Sequence, residues 1–385
     1  MKKHFLFVIK SFSTGGIVRS LQNFLNQYDT QRFEVDVFVM VHQDIFEGQL
    51  NNCKLLPCNR FVDYILTRFD SQKGFKRAIC ALSKILDQLT KGDYKNVVYR
   101  KVANELIKKK KYDAVIGFGE SEPTFFVASM NHPNKIGWIH CDYASYYELI
   151  HRESEKHIYD KLNTIVCVSN YTLQSFVSIY PEFKNKTCFI YNIIDDRMMR
   201  EQATCQIDGC YEKEMFNIVS IGRLDPIKRL SVIPQIARKV IDAGCSIRWY
   251  VIGPQGGKPD EKNLLLRNIK KYDVDSCVIP LGEKKNPYPY IAQADLLVNT
   301  SISEACPYVV NEAKILGTPV ICTDFGSAKE FVDYGKSGYY LSIDQIPKKI
   351  IQLIKDPRGL NTIRNELSHF KYDNQEILNK IYSLV

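Results

Sequence analysis

Short apolar runs rich in β-branched and aromatic residues alternate along this chain with longer stretches in which apolar positions recur every three or four residues. In the first half the runs are HFLFVIK (4–10), FEVDVFVM (33–40), DAVIGF (113–118), KIGWIHC (135–141), TIVCVSN (164–170) and KTCFIYN (186–192). In the second half they are FNIVSIG (216–222), IRWYVIG (247–253), CVIPLG (277–282), LLVNTS (296–301) and PVICTD (319–324). Most are continuously apolar, as parallel strands buried on both faces are. The stretches between them have helical period. LSVIPQIARKVIDAG (230–244), for example, ends in glycine, a common helix stop. Strand and helix in alternation predict α/β architecture with doubly wound parallel sheets.

The runs fall into two groups. Residues 193–215 (IIDDRMMREQATCQIDGCYEKEM) are charged and lack apolar periodicity, as an interdomain connection would. A chain of 385 residues is also too long for one ordinary core. The predicted organisation is a domain over 1–192, a linker over 193–212, a second domain over 213–365, and a helical C-terminal segment over 366–385 that can pack back on the N-terminal domain.

Composition changes this picture in three places. No apolar run approaches the ~18–20 residues that a membrane-spanning helix needs. The start, MKKHFLFVIK, has a short apolar part and no clean cleavage site, so it reads as a first strand. A cytoplasmic protein is therefore expected. The 12 cysteines are scattered through apolar runs, as free buried thiols are in a reducing compartment. Cys53/Cys58 and Cys205/Cys210 lack a second Cys or His pair at zinc spacing, so no metal site is expected. The net charge of +9 is uneven: Lys54 to Lys111 hold 15 Lys and Arg against 5 Asp and Glu. Such an excess favours an anionic partner. No nucleic-acid-binding motif is present, so nucleic acid is not the expected one.

Inside the basic region, QKGFKRAICALSKILDQLTK (72–91) places Phe75, Ile79, Leu82, Leu86 and Leu89 on one helical face, with Lys76, Arg77, Lys84 and Lys91 mostly elsewhere. Such a helix can lie on an anionic membrane. It can equally turn its apolar stripe to the core as an ordinary surface helix does, and that plainer reading is the stronger one on these residues alone.

Candidate chemistry lies where loops leave strands, because ligands in this architecture bind outside the carboxyl ends of the sheets, here in a cleft between two domains. Ser13-Thr14-Gly15-Gly16 leaves the first strand and precedes a helix. Paired glycines allow close backbone approach, and a helix N-terminus favours phosphate. The segment is neither GxxxxGK[ST] nor GxGxxG. In IGRLDPIK, Arg223 and Lys228 bracket a turn set by Pro226. Two cations there suit a diphosphate, the plain alternative being solvated surface charges. In SISEACPYVVNEA, Glu304 falls in a loop and Pro307 where a helix would begin. Glu312 then falls in the second turn, and the unpaired N–H groups around 306–309 form an anion site between the two acids. An anion site flanked by two hydroxyl-accepting carboxylates suits a nucleotide-sugar. The plain alternatives are a helix-capping acid for Glu304 and a solvated helix face for Glu312. His140, at the end of WIHCD, could bond a sugar hydroxyl or shuttle a proton, although a lone histidine is more often structural. Asp273-Val274-Asp275 reads as a turn and not as a metal-binding DxD. In Ile252-Gly253-Pro254-Gln255-Gly256-Gly257 the proline and the spacing spoil a dinucleotide fingerprint.

These segments together resemble the retaining glycosyltransferases of family 4 with the GT-B fold, the "glycosyl transferases group 1", of capsular or surface polysaccharide type. The resemblance covers nearly the whole chain. It rests on GGIVRSLQNFL, WIHCD, VCVSNYT (166–172), YNIID (191–195), IGRLDPIKRL and NPYPYIAQADLLVNTSISEACPYVVNEAKILGTPVI, with seven residues between Glu304 and Glu312. It implies two Rossmann-like domains facing across a cleft, the first for the acceptor and the second for the nucleotide-sugar. It implies that Arg223 and Lys228 neutralise the donor diphosphate without a metal or other cofactor. Glu304 and His140 would contact the donor sugar, and the backbone of Ala305, Cys306, Pro307, Tyr308 and Val309 would hold sugar and phosphate. Glu312 would take the ribose hydroxyls. Leu281 and Gly282 would line the base, and Gly16 would let its loop approach donor and acceptor. The family commonly has glycine and phenylalanine where this chain has Ala305 and Cys306, which bears on donor-sugar identity.

The implied activity is transfer of a sugar from a UDP- or GDP-sugar to a lipid-linked saccharide acceptor. With this resemblance the membrane reading of residues 72–91, at the inner face of the cell membrane, stands level with the plainer one. The alternatives are a UDP-sugar 2-epimerase of the same fold and a non-catalytic binding module.

Overall fold

A computed structural model describes the whole chain except residues 1, 13–14, 42–49, 68–71, 151–154, 208–210, 212–213 and 257–259. It divides into two compact units, Met1–Ile193 with Asn374–Val385, and Ile194–Asp373.

The first unit is built on a seven-stranded parallel sheet of order β3-β2-β1-β4-β5-β6-β7. The strands are β1 (Lys3–Ile9), β2 (Phe33–Val39), β3 (Lys54–Leu56), β4 (Ala114–Phe118), β5 (Lys135–Ile139), β6 (Thr164–Cys167) and β7 (Thr187–Phe189). The second unit has a six-stranded parallel sheet of order β10-β9-β8-β11-β12-β13. Its strands are β8 (Phe216–Ile221), β9 (Ile247–Ile252), β10 (Val278–Gly282), β11 (Leu296–Asn299), β12 (Val320–Thr323) and β13 (Gly338–Leu341). Every predicted run contains a strand. The two strands not predicted, β3 and β13, lie at sheet edges with part-exposed residues and no continuous apolar run.

Burial explains the continuous apolar runs. Phe5 to Ile9 are all at most 2% exposed, because helices cover both faces of the sheet. Each sheet has one place where neighbouring strands feed connections in opposite directions. In the first unit it lies between β1 and β4, in the second between β8 and β11. Loops leaving the strands there splay apart and open a crevice, so these two points locate candidate chemistry within each unit.

Two segments of the interdomain region have definite places. Asp196–Ala203 is a helix whose first turn is capped by the Asp195 carboxylate, and it packs on helices Tyr288–Gln293 and Tyr308–Ile315 of the second unit. The final helix, Asn374–Tyr382, joins the first unit. There the Tyr382 ring stacks on Phe33 with centroids 4.3 Å apart, and its hydroxyl accepts the Asp29 N–H at 2.8 Å.

Candidate functional site

The second unit's crevice is stitched together by backbone and side chains of two loops. After β8 the chain turns through Arg223–Arg229, and after β11 through Thr300–Pro307. The Thr300 hydroxyl donates to the carbonyl of Lys228 at 2.9 Å, and the Ile302 N–H donates to the carbonyl of Ile227 at 2.8 Å. Arg229 adopts φ 50°, a left-handed conformation uncommon for a side-chain-bearing residue, and its Nε donates to the Thr300 carbonyl at 3.3 Å. Asp225 shapes the first loop: it accepts the Lys228 N–H at 3.0 Å and the Arg223 Nε–H at 2.6 Å.

Lys228 and Glu304 meet at the centre. Nζ lies 2.6 Å from Oε1, with the carboxylate side chain only 10% exposed. The same oxygen accepts from Ser301 Oγ at 2.7 Å and from Asn299 Nδ2 at 3.3 Å. The Glu304 carbonyl accepts from Ser327 Oγ at 2.8 Å. The acid is thus clamped through one oxygen, and no side chain caps the following helix, Tyr308–Ile315. Glu304 is therefore not the helix-capping acid. Pro307 stands at the cap position with extended backbone, one residue before the first helical turn, whose N–H groups have no acceptor inside the helix. Glu312 is 2% exposed, which rules out a solvated helix face. Arg223 remains about half exposed.

The structure brings Arg223, Lys228, Glu304 and Ala305–Val309 to one switch point. Leu281 and Gly282 end the strand two places away, where the Gly282 carbonyl accepts the Gly253 N–H at 2.9 Å. The IGPQG segment buttresses the cation loop. The Leu224 N–H donates to the Pro254 carbonyl at 2.9 Å, and the Gly256 N–H donates to the Leu224 carbonyl at 3.0 Å. Gly257 lies outside the described residues. Asp273 and Asp275 sit in the turn before β10, and no cluster of metal-ligating side chains occurs among the described residues.

The sequence reading missed Asn299, Thr300, Ser301 and Asp225. Their signal was a polar Asn-Thr-Ser triplet closing an apolar strand, which burial of a carboxylate beside it would have required.

In the first unit, Gly15 and Gly16 lie at the start of helix Gly16–Gln27, after β1. Ser13 and Thr14 lie outside the described residues. His140 follows β5; its ring packs edge-on to Phe118 with centroids 4.7 Å apart, and its Nε2 is buried without a hydrogen-bond partner. Burial pushes the imidazole from 6.5 down to about 3, so it is neutral at pH 7. Its backbone N–H donates to Glu120 Oε2 at 2.9 Å. Burial in turn pushes the Glu120 carboxyl up. Glu120 also escaped the sequence reading; it follows β4 at the switch point. A neutral, unpartnered ring nitrogen beside a strand end can exchange a hydrogen bond with a hydroxyl.

Residues 216–356 match the model of the family described as glycosyl transferases group 1. A Campylobacter jejuni N-acetylgalactosamine-N,N'-diacetylbacillosaminyl-diphospho-undecaprenol 4-alpha-N-acetylgalactosaminyltransferase is 29% identical over 189 residues, 49% of this chain and 48% of that protein. A Staphylococcus aureus poly(ribitol-phosphate) alpha-N-acetylglucosaminyltransferase is 24% identical over 287 residues, 72% of this chain and 55% of that protein. The chain spans about half the length of the curated relatives it matches. Among solved structures, Anabaena Alr3699/HepE in complex with UDP and glucose superposes with TM-score 0.74 at 17% identity, covering 99% of this chain and 98% of that one. The fold of the whole chain is the GT-B fold of glycosyltransferases, with two parallel-sheet α/β units.

A Cβ on Gly253, whose φ is 153°, would lie 1.9 Å from the Gly222 carbonyl oxygen. Gly253→Ala is therefore expected to cost about 2 kcal/mol or more, read as a fall of roughly 4–8 °C in the unfolding midpoint. An unchanged midpoint would show that the glycine is not required. For His140 the unfolded chain binds a proton below 6.5, whereas the folded chain does so only near 3. Stability is then lost as pH falls from 6.5 towards 3. His140→Asn should flatten that part of the stability–pH curve in chemical denaturation; a slope identical to the parent's would contradict the assignment.

Proposed function

We propose that the protein is a retaining, metal-independent hexosyltransferase. It moves a sugar from a UDP- or GDP-sugar to a lipid-linked saccharide in the synthesis of a cell-surface polysaccharide. The group 1 match supports the sugar-transferase class. The observation that carries the reading to chemistry is the switch point between β8 and β11. Lys228 of one loop meets a clamped carboxylate of the other, which leads into an uncapped helix start, and Arg223 lies on the same loop as Lys228. Relatives named as acting on diphospho-undecaprenol and poly(ribitol-phosphate) acceptors support a lipid-linked or polymeric acceptor.

On this reading the donor diphosphate lies against Arg223, Lys228 and the first-turn N–H groups after Pro307. Bond breaking at the anomeric carbon sends an electron pair to the departing phosphate oxygen, and the two cations stabilise the charge that develops there. The acceptor hydroxyl attacks the same face and gives its proton to that oxygen, so configuration is retained and no separate general base is needed. Lys228 is drawn towards phosphate, while Ser301 and Asn299 keep Glu304 in place to accept a sugar hydroxyl. Glu312 accepts from the ribose. Ala305 and Cys306 line the sugar and bear on which one is taken. The first unit carries the acceptor side, where Gly16 and His140 act. The enzyme works on the inner face of the cell membrane.

Donor binding should raise the melting midpoint in a panel of UDP- and GDP-sugars. Glu312→Ala is expected to weaken that binding about tenfold or more through the lost ribose hydrogen bonds. Arg223→Ala is expected to lower kcat by about 100-fold or more with a smaller effect on donor affinity. Turnover should survive EDTA. Acceptor-dependent release of nucleoside diphosphate separates transfer from epimerisation. If both variants turn over like the parent, the transferase reading is wrong.

A further inference from the structure

Helix Gly74–Leu89 does not turn its apolar stripe to the core. Only Cys80 and Ser83 are buried, and the helix rests on the first unit along that narrow line. Phe75 is 82% exposed and Leu89 is 76% exposed, with Leu82, Ile85 and Leu86 exposed between them. At 100° per residue these five fall within one sector of the helix. Phe61, on the adjoining helix Arg60–Leu66, is also exposed. The plainer reading of residues 72–91 is thereby overturned. Five large apolar side chains exposed on one face of the chain need a partner.

Charge decides which partner. Lys73, Arg77, Lys91, Arg100 and Lys101 are exposed on this helix and the next. The whole region from Lys54 to Lys111 carries 15 bases against 5 acids. A second copy of the chain would bring the same positive field to the interface and be repelled. Nucleic acid would match the charge but offers nothing to an aliphatic Leu-Ile-Leu face. An anionic lipid surface takes both, the apolar side chains sinking among the acyl chains and the cations lying at the headgroups.

We propose that helix Gly74–Leu89 is the membrane-docking element of this protein. Phe75, Leu82, Ile85, Leu86 and Leu89 insert roughly 5–10 Å into the headgroup boundary of an anionic bilayer. Among the described residues no helix is long and apolar enough to cross a membrane, so this is attachment in the plane of the interface. The proposal deepens the reading of a lipid-linked acceptor, and rests on that reading for its purpose. Its test needs no sugar.

The test is co-sedimentation of the full-length protein with phosphatidylcholine vesicles, with and without phosphatidylglycerol. The parent should bind only the anionic vesicles, and less as salt rises. The double variant F75S/L89S should lose at least about tenfold in vesicle affinity. R77E should shift binding in the same direction. L266S, an exposed leucine of the second unit, should bind like the parent. Melting midpoints and release of nucleoside diphosphate with a soluble acceptor should stay unchanged in all three, so failed docking is distinguishable from failed transfer. Parent-like binding by F75S/L89S would overturn the proposal, as would equal binding to neutral vesicles. So would a concentration-dependent dimer, seen by light scattering, that the double variant abolishes while vesicle binding is absent.

Discussion

The contact on which the candidate site depends is the 2.6 Å ion pair between Lys228 and Glu304. Its partners come from loops that leave adjacent strands and then diverge. Without a tie they would open to water. Thr300 and Ile302 tie their backbones to those of Lys228 and Ile227, and the ion pair ties the side chains. A carboxylate this little exposed is tolerated because Lys228, Ser301 and Asn299 all donate to it. Removing any one of them leaves a buried charge underserved, which is why three residues of unremarkable type become part of one device.

That device in turn leans on glycine. Gly253 and Gly256 let the next loop come against the carbonyls of Gly222 and Leu224, where a Cβ would lie 1.9 and 2.4 Å from the oxygens. The chain after β9, which looks like a spoiled dinucleotide fingerprint, is the backing of the cation loop. Glycine at these positions is a statement about backbone approaching backbone, not about a nucleotide.

The first unit follows the same plan with different chemistry. At its switch point the polar groups are a neutral imidazole and a carboxyl whose pKa burial raises, His140 and Glu120. Among the described residues no cation is paired with either. The second unit's crevice is suited to concentrated negative charge and the first unit's to neutral hydroxyls. Away from its switch point, the first unit also carries the basic, apolar helix Gly74–Leu89.

Strand positions and the two-sheet plan were legible in the sequence, because a parallel strand buried on both faces must be continuously apolar. So were Arg223, Lys228 and Glu304, because charges flanking apolar strand ends are conspicuous, and Glu312, because it is the one acid in a mostly apolar helical stretch. The part-exposed edge strands β3 and β13 were not, since their neighbours in the sheet define them. Asn299, Ser301 and Glu120 were not, since a polar residue at a strand end acquires meaning only from what faces it. The amphipathic period of residues 72–91 was plain from the sequence, yet periodicity states only that two faces differ. Which face the protein covers is set by the packing of neighbouring helices, and here that packing covers Cys80 and Ser83 and leaves the apolar face bare.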